Sequence, residues 1–435
     1  MHYFSTNQQA AEAPLQHAVL KGLAEDGGLY MPAHIPTLPA AFFETLHQQS
    51  LQQMAFTVAS ALLADDVPAE MLKPLLEETL NFEIPVVEVE QNVYSMELFH
   101  GPTMAFKDVG GRFMSRLLAY FTRDKSETLK VIVATSGDTG SAVAAGFYNV
   151  PGIEVYILFP KGKVSQLQQK QLTTWGGNIT AIEVDGTFDD CQRLAKQALG
   201  DKALNEQHVL TSANSINIAR LIPQSFYYFW AYGQVQQLQK PVIFGVPSGN
   251  FGNLTGGLLA AAMGLPVHRF VAATNANDVV PQYLETGLYE ARPSVQTISN
   301  AMDVGNPSNY ARMSALFGGE LQRFRDSISG YTFTDEETRQ AIRQVYRQHH
   351  YLLDPHGAVA YSGVKQYMRE NQEPAVAVFL ETAHPAKFKE VMEDTLEETI
   401  SVPPKLQAFL LKEEKLVPMP NSFEALKELL QQRSA

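Results

Sequence analysis

The sequence predicts an α/β protein built on parallel-type sheets flanked by helices, and three observations carry that prediction. The 435-residue chain is 45% hydrophobic and 18% charged, the composition of a globular protein with two or three units that each bury a core. Three apolar, β-branched runs, at 129–134, 242–246 and 375–380, each lead through a polar or glycine-bearing loop into a stretch of small or helix-forming residues. Strand, loop and helix in that succession argue for parallel strands covered on both faces, with ligands beyond their carboxyl ends. By contrast, residues from about 14 to 82 show helical spacing, so a small, mostly helical N-terminal domain is expected over 1–82.

Taken in order, Leu15, Val19, Leu20 and Leu23 recur at helical spacing, as do Met71, Leu75 and Leu80. Between them Asp26-Gly27-Gly28-Leu29-Tyr30-Met31-Pro32 reads as a turn into a short extended piece. From 83 to 395 the strand-loop-helix pattern predicts the main α/β region. Its loops are Thr135-Ser136-Gly137-Asp138-Thr139-Gly140, Pro247-Ser248-Gly249-Asn250-Phe251-Gly252-Asn253 and Glu381-Thr382-Ala383-His384-Pro385. The segment 396–435 reads as a helical appendage, with Phe423, Leu426, Leu429 and Leu430 at helical spacing.

Charge narrows the function. The 33 basic and 46 acidic side chains give a net charge of −13, which disfavours nucleic acid and anionic membrane as partners. Residues 1–14 lack a basic segment followed by an apolar one, so no secretory signal is expected, and the most apolar stretch, 254–267, is too short and too broken to span a bilayer. A single cysteine, Cys191, allows neither an internal disulfide nor a thiolate cluster for zinc, so no metal is expected and the cytoplasm is the expected address.

The loop 247–253 is the most informative. Its glycines let backbone approach a ligand, and the helix after it would turn N–H groups and a positive dipole end toward an anion. A plain strand-to-helix turn is the competing reading. The loop lacks the GK[ST] of an ATP-type P-loop and the GxGxxG of a dinucleotide site. In the loop 135–140, Ser136 and Thr139 flank Asp138 and could bind a carboxylate or phosphate, with Asp138 as a helix N-cap the alternative. Lys107 follows Met104-Ala105-Phe106. Partial burial would lower its pKa as a Schiff-base nucleophile requires, although most lysines are solvated surface groups. Phosphate cradle, lysine in an apolar run and no nucleotide fingerprint together fit pyridoxal 5′-phosphate. Thr382, just past a strand end, could meet the pyridine nitrogen through a neutral hydroxyl.

With these residues in view, the sequence resembles the threonine synthases, pyridoxal-phosphate enzymes of fold type II, in the branch with a long N-terminal domain. The likeness runs nearly end to end, through Gly27-Gly28-Leu29, 97–108, 135–140, 212–217, 247–252, 300–304 and 382–388. It implies a two-lobed fold like that of tryptophan synthase β. It implies that Lys107 forms the Schiff base, that Ser248, Gly249, Asn250, Phe251 and Gly252 hold the cofactor phosphate, and that Thr382 faces the ring nitrogen. Thr135, Ser136, Asp138, Thr139, Asn214, Ser215, Asn217 and Arg220 would bind the substrate, with Arg220 at its phosphate. Asp138 stands where many relatives of the wider fold place asparagine. The implied reaction converts O-phospho-L-homoserine and water to L-threonine and phosphate. The alternatives are a serine/threonine dehydratase or β-replacement enzyme on the same scaffold, and a non-catalytic phosphometabolite-binding relative. The sequence leaves oligomeric state open, a monomer included.

Overall fold

In a computed structural model, described over residues 1–431, the chain forms two compact units that do not follow chain order. The first comprises Met1–Ala33, Lys107–Arg220 and the chain from Val402 onward; the second comprises His34–Phe106 and Leu221–Ser401. The residues 1–82 are thus shared between the two. The last four residues of the 396–435 segment lie outside the described range.

The first unit is built on a five-stranded sheet, all parallel, in the order Leu416–Pro420, Ile179–Asp185, Ile153–Pro160, Leu129–Ala134, Val209–Ser212. Every residue of Leu129–Ala134 is buried, as expected of a strand covered on both faces. Beside it, His2–Ser5, Ala13–Pro14 and Tyr30–Pro32 form a small antiparallel sheet, which helical spacing did not announce. Its turn is tied by Asp26, whose carboxylate accepts the Ser5 hydroxyl at 2.6 Å and the backbone N–H groups of Gln9, Ala10 and Gly28 at 2.9 to 3.0 Å.

The second unit holds a six-stranded sheet in the order Ile328–Thr332, Arg269–Thr274, Val242–Pro247, Val376–Glu381, Val93–Glu97, Val86–Glu90, parallel except for the last pair. Val242–Pro247 and Val376–Glu381 are wholly buried neighbours running the same way. The loops after them, with the glycines and with Thr382, therefore leave the sheet at one edge. The helix Ala69–Thr79 buries Leu72, Leu75, Leu76 and Thr79. Met71, expected on its inner face, is 43% exposed, because the helix rests on its 72/75/76/79 face. Among the described residues no helix is long and apolar enough to cross a membrane.

Candidate active site

In the second unit the strand Val242–Pro247 ends in a turn that becomes the helix Gly252–Ala262. Gly249 is there because nothing larger fits: a Cβ would lie 2.6 Å from the Met302 Cα and 3.1 Å from the Ala301 carbonyl oxygen. Phe251, at φ 59°, turns the chain into the helix from the left-handed region, unusual for an aromatic residue. Ser248 is internal to the frame, its N–H bonded to the Ala273 carbonyl and its hydroxyl to that of Val246, both at 2.9 Å. The first N–H groups of the helix have no intrahelical acceptor by construction. At that same turn the buried Asn253 Nδ2 has no hydrogen-bond partner among the described residues, while Tyr228 holds Asn253 by its carbonyl and Oδ1 at 3.0 and 2.8 Å. A close-packed glycine turn, a helix N-terminus and an orphaned amide donor suit a phosphate monoester, so the residues present fit pyridoxal phosphate.

Asn250 is gripped from behind. Its Oδ1 accepts the Ser308 N–H at 2.6 Å, and its carbonyl accepts Asn309 Nδ2 at 3.0 Å. Asn309 Oδ1 in turn accepts the guanidinium of Arg312 at 2.9 Å. Arg312 is fully buried, and burial pushes its pKa down to about 9. Sequence reading missed this support, because an arginine in a helical stretch such as Tyr310–Phe317 reads as surface. At the neighbouring strand end Thr382 is 7% exposed, and its carbonyl accepts the Phe106 N–H at 2.8 Å. The residue before Lys107 is thereby fixed to the loop of Thr382.

In the first unit Lys107, half-buried, opens the helix Lys107–Thr122. The Thr135 hydroxyl accepts the N–H groups of Gly137 and Gly140, both at 2.9 Å, and closes the loop on itself. Asp138 is the first residue of the helix Asp138–Phe147, and the cap position belongs to Gly137. The N-cap alternative for Asp138 therefore fails; its Oδ1 accepts the Gln168 amide at 3.1 Å instead. Gly137, at φ 140°, has Gln168 side-chain atoms 2.6 Å from where a Cβ would stand, so Gln168 packs the loop from behind. Ser136 and Thr139 are half-buried.

Asn214 pairs with both backbone groups of Ala134, accepting its N–H at 3.1 Å and donating to its carbonyl at 2.7 Å, which brings the 214–220 segment beside the 135–140 loop. Ser215 is half-buried. Asn217 is sealed inside: its amide donates to Val19 and Ser212 carbonyls at 2.9 and 3.2 Å, and its Oδ1 accepts the Ala219 N–H at 3.0 Å. Arg220 is 4% exposed and lies against the helix that Lys107 opens; Cβ atoms at Gly110 and Gly111 would come within 3.3 and 3.2 Å of its guanidinium. Cys191 is 0% exposed, and burial first, then Asp190, pushes its thiol up to about 12.

The sequence matches the family Pyridoxal-phosphate dependent enzyme over residues 79–382, Threonine synthase N terminus over 2–80 and Threonine synthase, C-terminal over 357–430. The threonine synthase of Escherichia coli (strain K12) is 42% identical over 407 residues, covering 93% of this chain and 94% of the relative. That of Haemophilus influenzae is 42% identical over 435 residues, 99% of each. Among solved structures, Escherichia coli threonine synthase matches with a TM-score of 0.92 at 40% identity over 99% of both chains. The threonine synthase of Brucella melitensis with bound PLP matches at 0.91 and 34% identity, over 99% of this chain and 98% of that one.

Proposed function

We infer the function from one premise: the chain belongs to the pyridoxal-phosphate dependent enzymes and, within them, to the threonine synthases. It is a pyridoxal-phosphate-dependent lyase, and its proposed reaction takes O-phospho-L-homoserine and water to L-threonine and inorganic phosphate, the last step of threonine biosynthesis. The observation that carries this reading is the reach of the likeness, which runs through the N-terminal, central and C-terminal regions alike. The single buried cysteine and the acidic surface favour a cytoplasmic setting.

When bound, pyridoxal phosphate supplies an electron sink that acidifies the Cα and Cβ hydrogens of an amino-acid substrate. In the proposed arrangement the backbone of Gly249 to Gly252, with Ser248 and Asn250 fixing the turn, holds the cofactor phosphate. Lys107 Nζ holds the aldehyde end, and the Thr382 hydroxyl meets the ring nitrogen. Once the substrate amine had freed it from the aldehyde, Lys107 Nζ would act as the base, taking the substrate Cα proton and then a Cβ proton; with phosphate gone from Cγ, a proton would return to Cγ, and water would supply hydroxide to Cβ and a proton to Cα. Arg220 holds the substrate phosphate and stabilises its charge as the C–O bond breaks. Ser136, Thr139 and Ser215 supply half-buried hydroxyls to the substrate. Thr135, Asp138, Asn214 and Asn217 act by positioning, since their polar groups are engaged within the first unit.

The test is a paired assay on the purified holoenzyme. Equal amounts of phosphate and threonine should appear from O-phosphohomoserine. A 2-oxo acid formed from serine or threonine, with no turnover of O-phosphohomoserine, would instead make the chain a dehydratase.

A further inference from the structure

Three polar side chains that this reaction does not use are sealed in the second unit: Glu381 and Asp354 at 0% exposure and His356 at 2%. The two carboxyls lie beside one another: Glu381 Oε2 accepts the Asp354 N–H at 3.3 Å, and the buried Glu381 Oε1 has no hydrogen-bond partner among the described residues. Asp354 caps the helix Pro355–Asn371, taking the His356 and Gly357 N–H groups at 2.8 and 3.4 Å. The same Asp354 Oδ1 meets His356 Nδ1 at 2.6 Å, and His356 Nε2 accepts the Ala301 N–H at 3.2 Å. Room for this cluster depends on Gly357, where a Cβ would collide with the Glu381 carboxyl.

Geometry dictates where the protons are. A ring nitrogen that accepts a backbone N–H bears no proton, so the His356 proton is on Nδ1 and faces Asp354. Two buried carboxyls this close cannot both ionise, and one of them must keep a proton. Asp354 already receives three N–H donors and stays ionised, which leaves that proton on Glu381. Burial first, and then the Asp354 charge, hold Glu381 well above the carboxylate range. Burial opposes the Asp354 charge, but the His356 interactions and the N–H donors outweigh it and keep its pKa low.

The cluster joins two places. Glu381 immediately precedes Thr382, and its own carbonyl accepts the Leu98 N–H at 2.9 Å. His356 holds Ala301 in the turn Asn300–Met302, and that turn is the surface on which Gly249 packs. We propose that Glu381, as a carboxylic acid tied to Asp354, and His356, as the acceptor for Ala301, are positioning residues that hold the Thr382 strand end and the Gly249 turn in register for the cofactor. This rests on the assignment of Gly249 and Thr382 to cofactor binding above.

The experiment measures pyridoxal-phosphate affinity, by fluorescence titration of the apo-protein, alongside apo-protein melting and the visible spectrum of the reloaded enzyme. Glu381→Gln keeps a neutral donor of the same length and should bind within about threefold of wild type, whereas Glu381→Leu and His356→Phe, which each strand a buried polar partner, should weaken binding about tenfold or more. The increase in melting temperature on adding cofactor should shrink with them. A Glu381→Gln variant as weak as Glu381→Leu would show that charge, not the proton, matters. A His356→Phe variant that melts lower as apo-protein yet binds cofactor normally would reduce the cluster to a structural role. Gly249→Ala separates the premise from the proposal: undiminished affinity there would overturn the cradle assignment itself.

Discussion

Replacing Gly111 by alanine sets two calculable effects against each other. In an open helix alanine is favoured over glycine by about 1 kcal/mol. At Gly111, however, a Cβ would stand 2.7 Å from the Ala142 carbonyl oxygen and 3.1 Å from its carbon, and 3.2 Å from an Arg220 nitrogen. The crossing is reciprocal, since a Cβ at Gly146 would lie 2.8 Å from the Gly111 carbonyl carbon. The obstructing atoms belong to a helix backbone that has no rotamer to change, so the upper part of the usual 1–3 kcal/mol overpacking cost, roughly, applies. The net is a loss of about 2 kcal/mol, or roughly 4–8 °C for a domain of this size. The comparison is Gly200→Ala, at the exposed end of the helix Phe188–Gly200 with nothing within 4 Å of the new methyl, where only the favourable effect remains, about 1 kcal/mol at most. Thermal unfolding of both variants gives the stabilities. With Arg220 displaced, kcat/KM for O-phosphohomoserine should also fall in Gly111→Ala while the cofactor still binds. A Gly111→Ala protein melting at or above wild type would refute the argument that this crossing tolerates only glycine.

Lys107→Ala should abolish turnover and remove the absorption of the lysine-linked cofactor while circular dichroism stays unchanged; near-normal steady-state rates would end the assignment. Arg220→Ala should lower kcat/KM for O-phosphohomoserine by ~10²-fold or more with cofactor affinity retained, and Arg220→Lys should recover only part, because an ammonium lacks the guanidinium fork. Cys191 should resist alkylation of the native enzyme at neutral pH, its thiol being held near 12 chiefly by burial; mass spectrometry after iodoacetamide treatment reads this directly. His384 has its pKa pushed down to about 4, first by burial and then by His100. Its neutral form therefore contributes stability that is fully present above the unfolded value near 6.5 and is lost as pH falls toward 4, by up to about 3 kcal/mol. Melting temperatures of His384→Asn, which keeps an N-cap acceptor, should fall less steeply over that interval than those of wild type.

The fold class was legible because strands buried on both faces leave unbroken apolar runs, and because their loops must carry glycine where backbone is crowded. Gly249 and Gly137 are such positions, and both lie in loops the sequence singled out. Periodicity could not sort the runs into sheets: Val242–Pro247 and Val376–Glu381 are neighbours, whereas Leu129–Ala134 belongs to the other unit. Leu416–Pro420 was hidden for a different reason. Two prolines in five residues argue against a strand, and only its place at the sheet edge makes them tolerable. Residues that act by contacting other residues left no sequence signal. Asp354-Pro355 announces a helix start, but nothing in the chain says that its carboxylate meets Glu381 and His356, or that Arg312 is buried behind Asn250.

The edge strand also constrains how the protein can be made. Its partner, Ile179–Asp185, is synthesised long before it, as are Cys191 and Leu194, whose core is completed by Met419, Leu426 and Leu430. A nascent chain carrying the other four strands of that sheet presents an unpaired hydrogen-bonding edge and an uncovered apolar face until residues 416–430 have left the exit tunnel. Such late closure delays folding and exposes the nascent chain to aggregation. A premature stop near residue 401 would thus forfeit more than a tail, and its product should be found with chaperones or in the insoluble fraction.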